Sequence, residues 1–181
     1  ASCSQAADET YVDVTQPNVA AFIDEMVASQ DFSHDALSAI LAKAEIKPSI
    51  IEKISTPAER KLSWAEYRKI FITKERIAAG TTFWRENREM LERIQKESGV
   101  SIEMIVGIIG VETYYGRITG KDRVLDALAT LAFDYPPRAK FFRNELMQFL
   151  ILAREEEIDA TMPLGSYAGA MGLPQFIPSS Y

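Results

Sequence analysis

The chain has 181 residues, 47% hydrophobic and 25% charged, enough for one globular domain or one domain with a small lobe. Its net charge of −6 argues against non-specific nucleic-acid binding, and no basic stripe is present. One cysteine and one histidine exclude a Cys/His zinc site within the chain and disfavour a Cys–His–Asn nucleophile set. Without Walker, dinucleotide-glycine or calcium-loop patterns, no cofactor or metal is expected.

Ala1 to Gln16 is polar and aperiodic, the character of a tether. Cys3 follows Ala-Ser and precedes a polar run, like a bacterial lipoprotein acylation site. The other reading is an incidental free thiol. With no second cysteine to pair, the lipid reading points to a chain anchored in a bacterial envelope, not a disulfide-stapled scaffold.

From Pro17 onward the pattern is helical. Val19, Phe22, Ile23, Met26 and Val27 recur at three- and four-residue spacing. Ser33 caps a second helix, with His34 at its surface and no role assigned to it, and Pro48 starts a third. Thr56-Pro57-Ala58-Glu59 and Ser63-Trp64-Ala65-Glu66 both have the capping-box form. Thr82 to Glu97 reads as one longer amphipathic helix stopped by Gly99. Val124 to Phe133 is a short apolar helix, and Pro136-Pro137 opens another that runs to Glu157. No strand alternation and no repeat appear, so the fold class is all-α, with a compact bundle as the expected packing.

Between these lies Ser101 to Gly116, SIEMIVGIIGVETYYG, apolar almost all round and expected to be buried on most sides. Glu103 sits in the first turn, where the helix dipole favours a carboxylate. Glu112 is about 900° of rotation further on, on the opposite side and in the last turn, where the dipole disfavours it. Burial would raise its pKa above the ordinary glutamate value of roughly 4.3, making a general acid. The alternative is an ion pair with Arg117, Lys121 or Arg123. The helix alone leaves both readings open.

After Glu157 the composition shifts to Gly, Ser and Pro: GSYAGAMGLPQFIPSSY. Ser166 and Gln175 offer uncharged hydrogen-bonding groups, and Tyr167, Phe176 and Tyr181 offer flat rings, a set that suits a carbohydrate. A tight packing site for small residues fits the composition equally.

GIIGVETYYGR, DALATLAFDYPPRAKFF and GSYAGAMGLPQFIPSSY, in this order and spacing, closely resemble the membrane-bound lytic transglycosylase B family, lysozyme-like enzymes that cleave bacterial cell-wall glycan. The match is dense from about Gly99 to Tyr181 and continues back through FWRENREML and WAEYRKIFI. The resemblance implies a lysozyme-like domain over residues 17–181, with further helices after Tyr181, so the domain is expected to be incomplete at its C-terminus. It implies Glu112 as the acid/base, and Ser166 and Gln175 as ligands of the sugar beside the scissile bond. Tyr67 would line the cleft, and Arg138 would be one of two adjacent arginines, with Pro137 in place of the other. Phe141 stands where a tyrosine is often found, and Phe176 adds a ring for the sugar. The implied setting is the periplasm of a Gram-negative bacterium, with Cys3 anchoring the chain to the outer membrane. Glycan strands are the expected partner, and cell-wall synthesis or division proteins are candidates.

Most glycosidases use two carboxylates; the matched motifs hold one well-placed Glu, while their Asp126 and Asp134 read as helix-end acids. A single-acid scheme follows, in which Glu112 cleaves the N-acetylmuramic acid–N-acetylglucosamine bond and a 1,6-anhydro product forms without water. The alternatives are a non-catalytic peptidoglycan-binding or scaffolding fragment and a lysozyme-type hydrolase.

Overall fold

The computed structural model describes residues 10–56 and 62–181. These form nine α-helices joined by two-residue strands and short 3-10 turns. Helices α1 (Pro17–Gln30) and α3 (Pro48–Ser55) begin on prolines, whose fixed φ and missing N–H suit the first helical position. Between them α2 (His34–Leu41) starts at Ser33, whose hydroxyl accepts the Ala36 N–H.

Strand β1 (Thr10–Tyr11) pairs antiparallel with β2 (Glu45–Ile46), and the adjacent Val12 is buried. Thr10–Gln16 is therefore part of the folded body, which corrects the tether expected over residues 1–16. Val12 and Val14 are too few in a polar run to announce a folded segment. Cys3 and Pro57–Glu59 of the first capping box lie outside the described residues.

The main core forms around α8 (Val124–Phe133), a helix with nine buried residues. Helices α1 to α3 and α9 (Ala139–Glu155) contribute to the same core, with Phe22 set edge-on to Phe133 at 5.8 Å. Asp126, in the first turn of α8, is more than the helix-end acid its position suggests. It is fully buried and accepts the Glu45 N–H (3.0 Å) and Arg123 Nε (2.8 Å) while pairing with Lys47 Nζ at 3.4 Å. A buried carboxylate is tolerated when its lone pairs are met in this way.

A second, smaller cluster of Leu91, Ile102 and Val106 sits among α5 (Lys74–Glu86), α6 (Arg88–Ser98) and α7 (Ile102–Thr113). Two clusters replace the expected single bundle. The expected Thr82–Glu97 helix is also broken, at Asn87, whose backbone N–H and side-chain Nδ2 both donate to Phe83 O at 3.1 and 2.8 Å. Among the described residues no helix is long and apolar enough to cross a membrane.

Helix α4 (Trp64–Phe71) has no buried residue, and its first turn is held locally. Ser63 N–H and Oγ both donate to Glu66 Oε2, at 2.9 and 2.6 Å, the capping box expected from the sequence. The Ser63 hydroxyl first, then its N–H, lowers the Glu66 pKa from 4.5. A lowered carboxyl pKa stabilises above the unfolded value and loses that contribution as pH falls through the folded one. The box should therefore open only below pH 4.5. NMR titration of Glu66 should show Ser63→Ala returning its midpoint toward the ordinary value; an unchanged midpoint would remove Ser63 as the cause.

Candidate active site

Helix α7 is less covered than its composition predicts. It buries Ile102, Val106, Gly110 and Thr113. Its other face is bare, with Met104 59%, Ile108 45% and Val111 45% exposed. Glu112 is exposed too, so the expected desolvation is absent. The alternative ion pair is also absent among the described residues: Arg117 lies over the Tyr114 ring at 4.8 Å, and Arg123 is engaged with Asp126 and Glu45. The carboxyl stands open at the end of its helix.

That helix ends abruptly. Tyr114 and Tyr115 both take left-handed backbone, at φ 51 and 59°, which costs a non-glycine residue roughly 1–2 kcal/mol. Packing holds them there. The Tyr115 ring fills a slot between Gly80 and Gly110, where a Cβ on either glycine would collide with it. Arg76 lies over Tyr114 at 4.5 Å and donates from Nη1 to Gly110 O at 2.7 Å.

Thr113 joins this helix end to the Gly-rich segment. Its buried hydroxyl lies 2.9 Å from Leu173 O, to which it donates, and accepts the Gly116 N–H at 3.1 Å. The loop after α7 then runs against the same segment. Strand β3 (Asp122–Arg123) pairs with β4 (Leu164–Gly165), and Gln175 Nε2 donates to Thr119 O at 3.1 Å. Glu112 at the end of α7 and Ser166 and Gln175 in the Gly-rich segment are thus carried on two elements fastened to each other. Neither the fastening nor the role of Thr113 was readable in sequence, because a threonine near a helix end has many local uses.

The polar side chains are partly committed, and the remainder defines what they offer. Ser166 Oγ accepts the Ala168 and Ala170 N–H groups, at 3.2 and 3.1 Å. No acceptor among the described residues meets its proton, so Ser166 presents a donor. Gln175 uses its Nε2 on Thr119 O and on Gly172 O, the latter at 3.0 Å. Its Oε1 is left as an acceptor, displayed from a left-handed residue at φ 51°.

The candidate rings fall in three places. Tyr67 stands in a row of contacts: Trp64 at 6.2 Å, Phe71 at 5.0 Å, then Arg76 over Phe71 at 5.2 Å and on to Tyr114. This row leads from α4 to the Glu112 end of α7. Phe176 is half exposed and set edge-on to Tyr181 at 5.9 Å. Its segment is anchored by the buried Glu145, whose Oε2 accepts the Ser179 N–H at 2.9 Å. Arg138 and Phe141 stack on each other at 4.3 Å, and among the described residues no hydrogen bond or ring contact joins that pair to the Glu112 end of α7. Among the described residues no group of three or more His, Cys, Asp or Glu side chains could hold a metal ion.

The fold is shared with solved lytic transglycosylases. The soluble lytic transglycosylase SltB1 of Pseudomonas aeruginosa superposes with a TM-score of 0.87 at 55% identity, covering 91% of this chain and 55% of that one. The Escherichia coli lytic transglycosylase Slt35, solved with bulgecin A, gives 0.87 at 44% identity, covering 96% and 56%. Residues 14–181 match the transglycosylase SLT domain, and the chain belongs to that family. It is 44% identical over 174 residues to the membrane-bound lytic murein transglycosylase B of Escherichia coli K12, covering 91% of this chain and 48% of that protein. The chain thus spans about half the length of these relatives.

Proposed function

We propose that this chain carries the acid and sugar-orienting parts of a peptidoglycan lytic transglycosylase. The observation that carries the reading is the Thr113–Leu173 fastening. It ties a carboxyl without an ion pair among the described residues to a segment offering one donor, on Ser166, and one acceptor, on Gln175. An acetamido group presents the complementary pair, a C=O and an N–H. Ser166 would donate to the carbonyl, or to a neighbouring hydroxyl, and Gln175 would accept from the N–H, fixing the sugar beside the scissile bond.

In the reaction, protonated Glu112 gives its proton to the glycosidic oxygen between N-acetylmuramic acid and N-acetylglucosamine. The C1–O bond breaks, and the substrate's own N-acetyl oxygen meets the positive charge at C1. The Glu112 carboxylate then takes the proton of the muramoyl 6-hydroxyl, and O6 attacks C1 to form the 1,6-anhydro ring. No second carboxylate and no water are consumed. Tyr67 and Phe176 would support sugar rings, while Arg138 and Phe141 would serve an outer part of the strand. Cys3 would bear the lipid that holds the chain at the periplasmic face of the outer membrane; the name of the membrane-bound relative supports this. Proteins of wall synthesis or division would be partners there.

Mass spectrometry of muropeptides released from purified sacculi tests the reaction. Products with 1,6-anhydro ends are expected; reducing ends would replace this reading with a lysozyme-type hydrolase. The openness of Glu112 favours a second reading, glycan binding without turnover. Retention on insoluble murein with no release would establish it.

A further inference from the structure

We infer that Trp64 is an outer sugar-binding platform, one ring further from Glu112 than Tyr67, for a pyranose of the same glycan strand. The inference rests on the glycan-binding reading above and extends it to a position which that reading leaves unassigned.

Trp64 is 74% exposed, the highest value among the large apolar side chains described. An indole left in water on a helix without a buried face contributes nothing to the core, and exposed aromatic surface commonly marks a binding site. Its placement is held on two sides. It occupies the first position of α4, inside the Ser63–Glu66 capping box. Its ring also leans on Tyr67 at 6.2 Å with 32° between planes. The two rings therefore sit side by side, tilted to each other, along one side of α4, the spacing of residues three apart on a helix.

The platform is also continuous with the site. From Tyr67 the contacts pass through Phe71 and Arg76 to Tyr114, two residues after Glu112. A rigid amphipathic ring loses little conformational freedom on binding, and the apolar face of a pyranose has the shape to lie on it. A strand lying on Tyr67 and extending away from Glu112 along this row meets Trp64 next. Short glycans held near Ser166 and Gln175 would not reach it.

Calorimetric titration of the full chain with short and long β-1,4-linked N-acetylglucosamine oligomers tests this, using wild type, Trp64→Ala and Trp64→Phe. Trp64→Ala should weaken the long oligomer roughly three- to tenfold and leave the short one unchanged, with Trp64→Phe between. Melting should be unaffected, since the side chain is exposed. Equal affinity of wild type and Trp64→Ala for the long oligomer would overturn the assignment while leaving the glycan-binding reading intact. Failure of the wild type to bind either oligomer would overturn both.

Discussion

Glu112→Gln should abolish release of glycan fragments and leave glycan binding nearly unchanged. Glutamine keeps the size and the carbonyl acceptor of the side chain but has no proton to give and no carboxylate to take one back. A positioned general acid–base contributes about 10²–10⁴ in rate. In the proposed mechanism one group serves both half-steps, so the whole of that factor should go. The structure makes the experiment clean. Glu112 is exposed and takes part in no ion pair among the described residues, so the substitution disturbs no fold contact and stability should move within about ±0.5 kcal/mol. Turnover assays on sacculi, with murein retention measured in parallel, give the answer. Undiminished turnover would reject Glu112 as the acid. Lost retention with intact folding would mean that its charge mainly binds.

Gly120→Ala should be the most damaging single methyl in the site. Gly120 has φ +101°, and a Cβ there would run into the carbonyl of Gly165 and the nitrogen of Ser166. Both obstacles are backbone, so no side chain can swing aside. Left-handed strain and overpacking together should cost about 3 kcal/mol or more, a fall in Tm of about 6–12 °C for a chain this long. Because the collision falls on Ser166, glycan affinity should drop even where the protein remains folded. Gly107→Ala is the matching control. Its Cβ meets nothing within 4 Å, and a helical alanine in its place should stabilise by up to about 1 kcal/mol. Thermal melts of the two variants beside wild type decide the point. Equal melting of Gly120→Ala and wild type would show that the two loops are not locked together as described.

The split between what was legible and what was not follows the range of the forces involved. Pro17, Pro48 and the Ser63–Glu66 box predicted helix starts that the structure bears out, because caps act within one turn of the chain. The apolar run Val124–Phe133 was read as a helix with the observed bounds. The break at Asn87 was not legible, since the polar face carries the same period on both sides of it. Composition also misled over α7: a helix apolar all round was expected to be buried, yet it buries a face toward α5 and α6 and its Thr113 end, and leaves Met104, Ile108 and Val111 exposed.

The sequence by itself determined the helical class, the place of Glu112 at the end of an apolar helix, and a motif set that resembles one family closely enough to nominate Ser166 and Gln175. Only the tertiary structure decided that Glu112 stands without an ion pair among the described residues, that Thr113 fastens its helix to the Gly-rich loop, and that Ser166 is left a donor and Gln175 an acceptor. Helix signals reside in neighbours along the chain. A side chain's remaining hydrogen bonds and its access to water depend on residues tens of positions away, such as Thr119 against Gln175, and those distances exist only once the chain has folded.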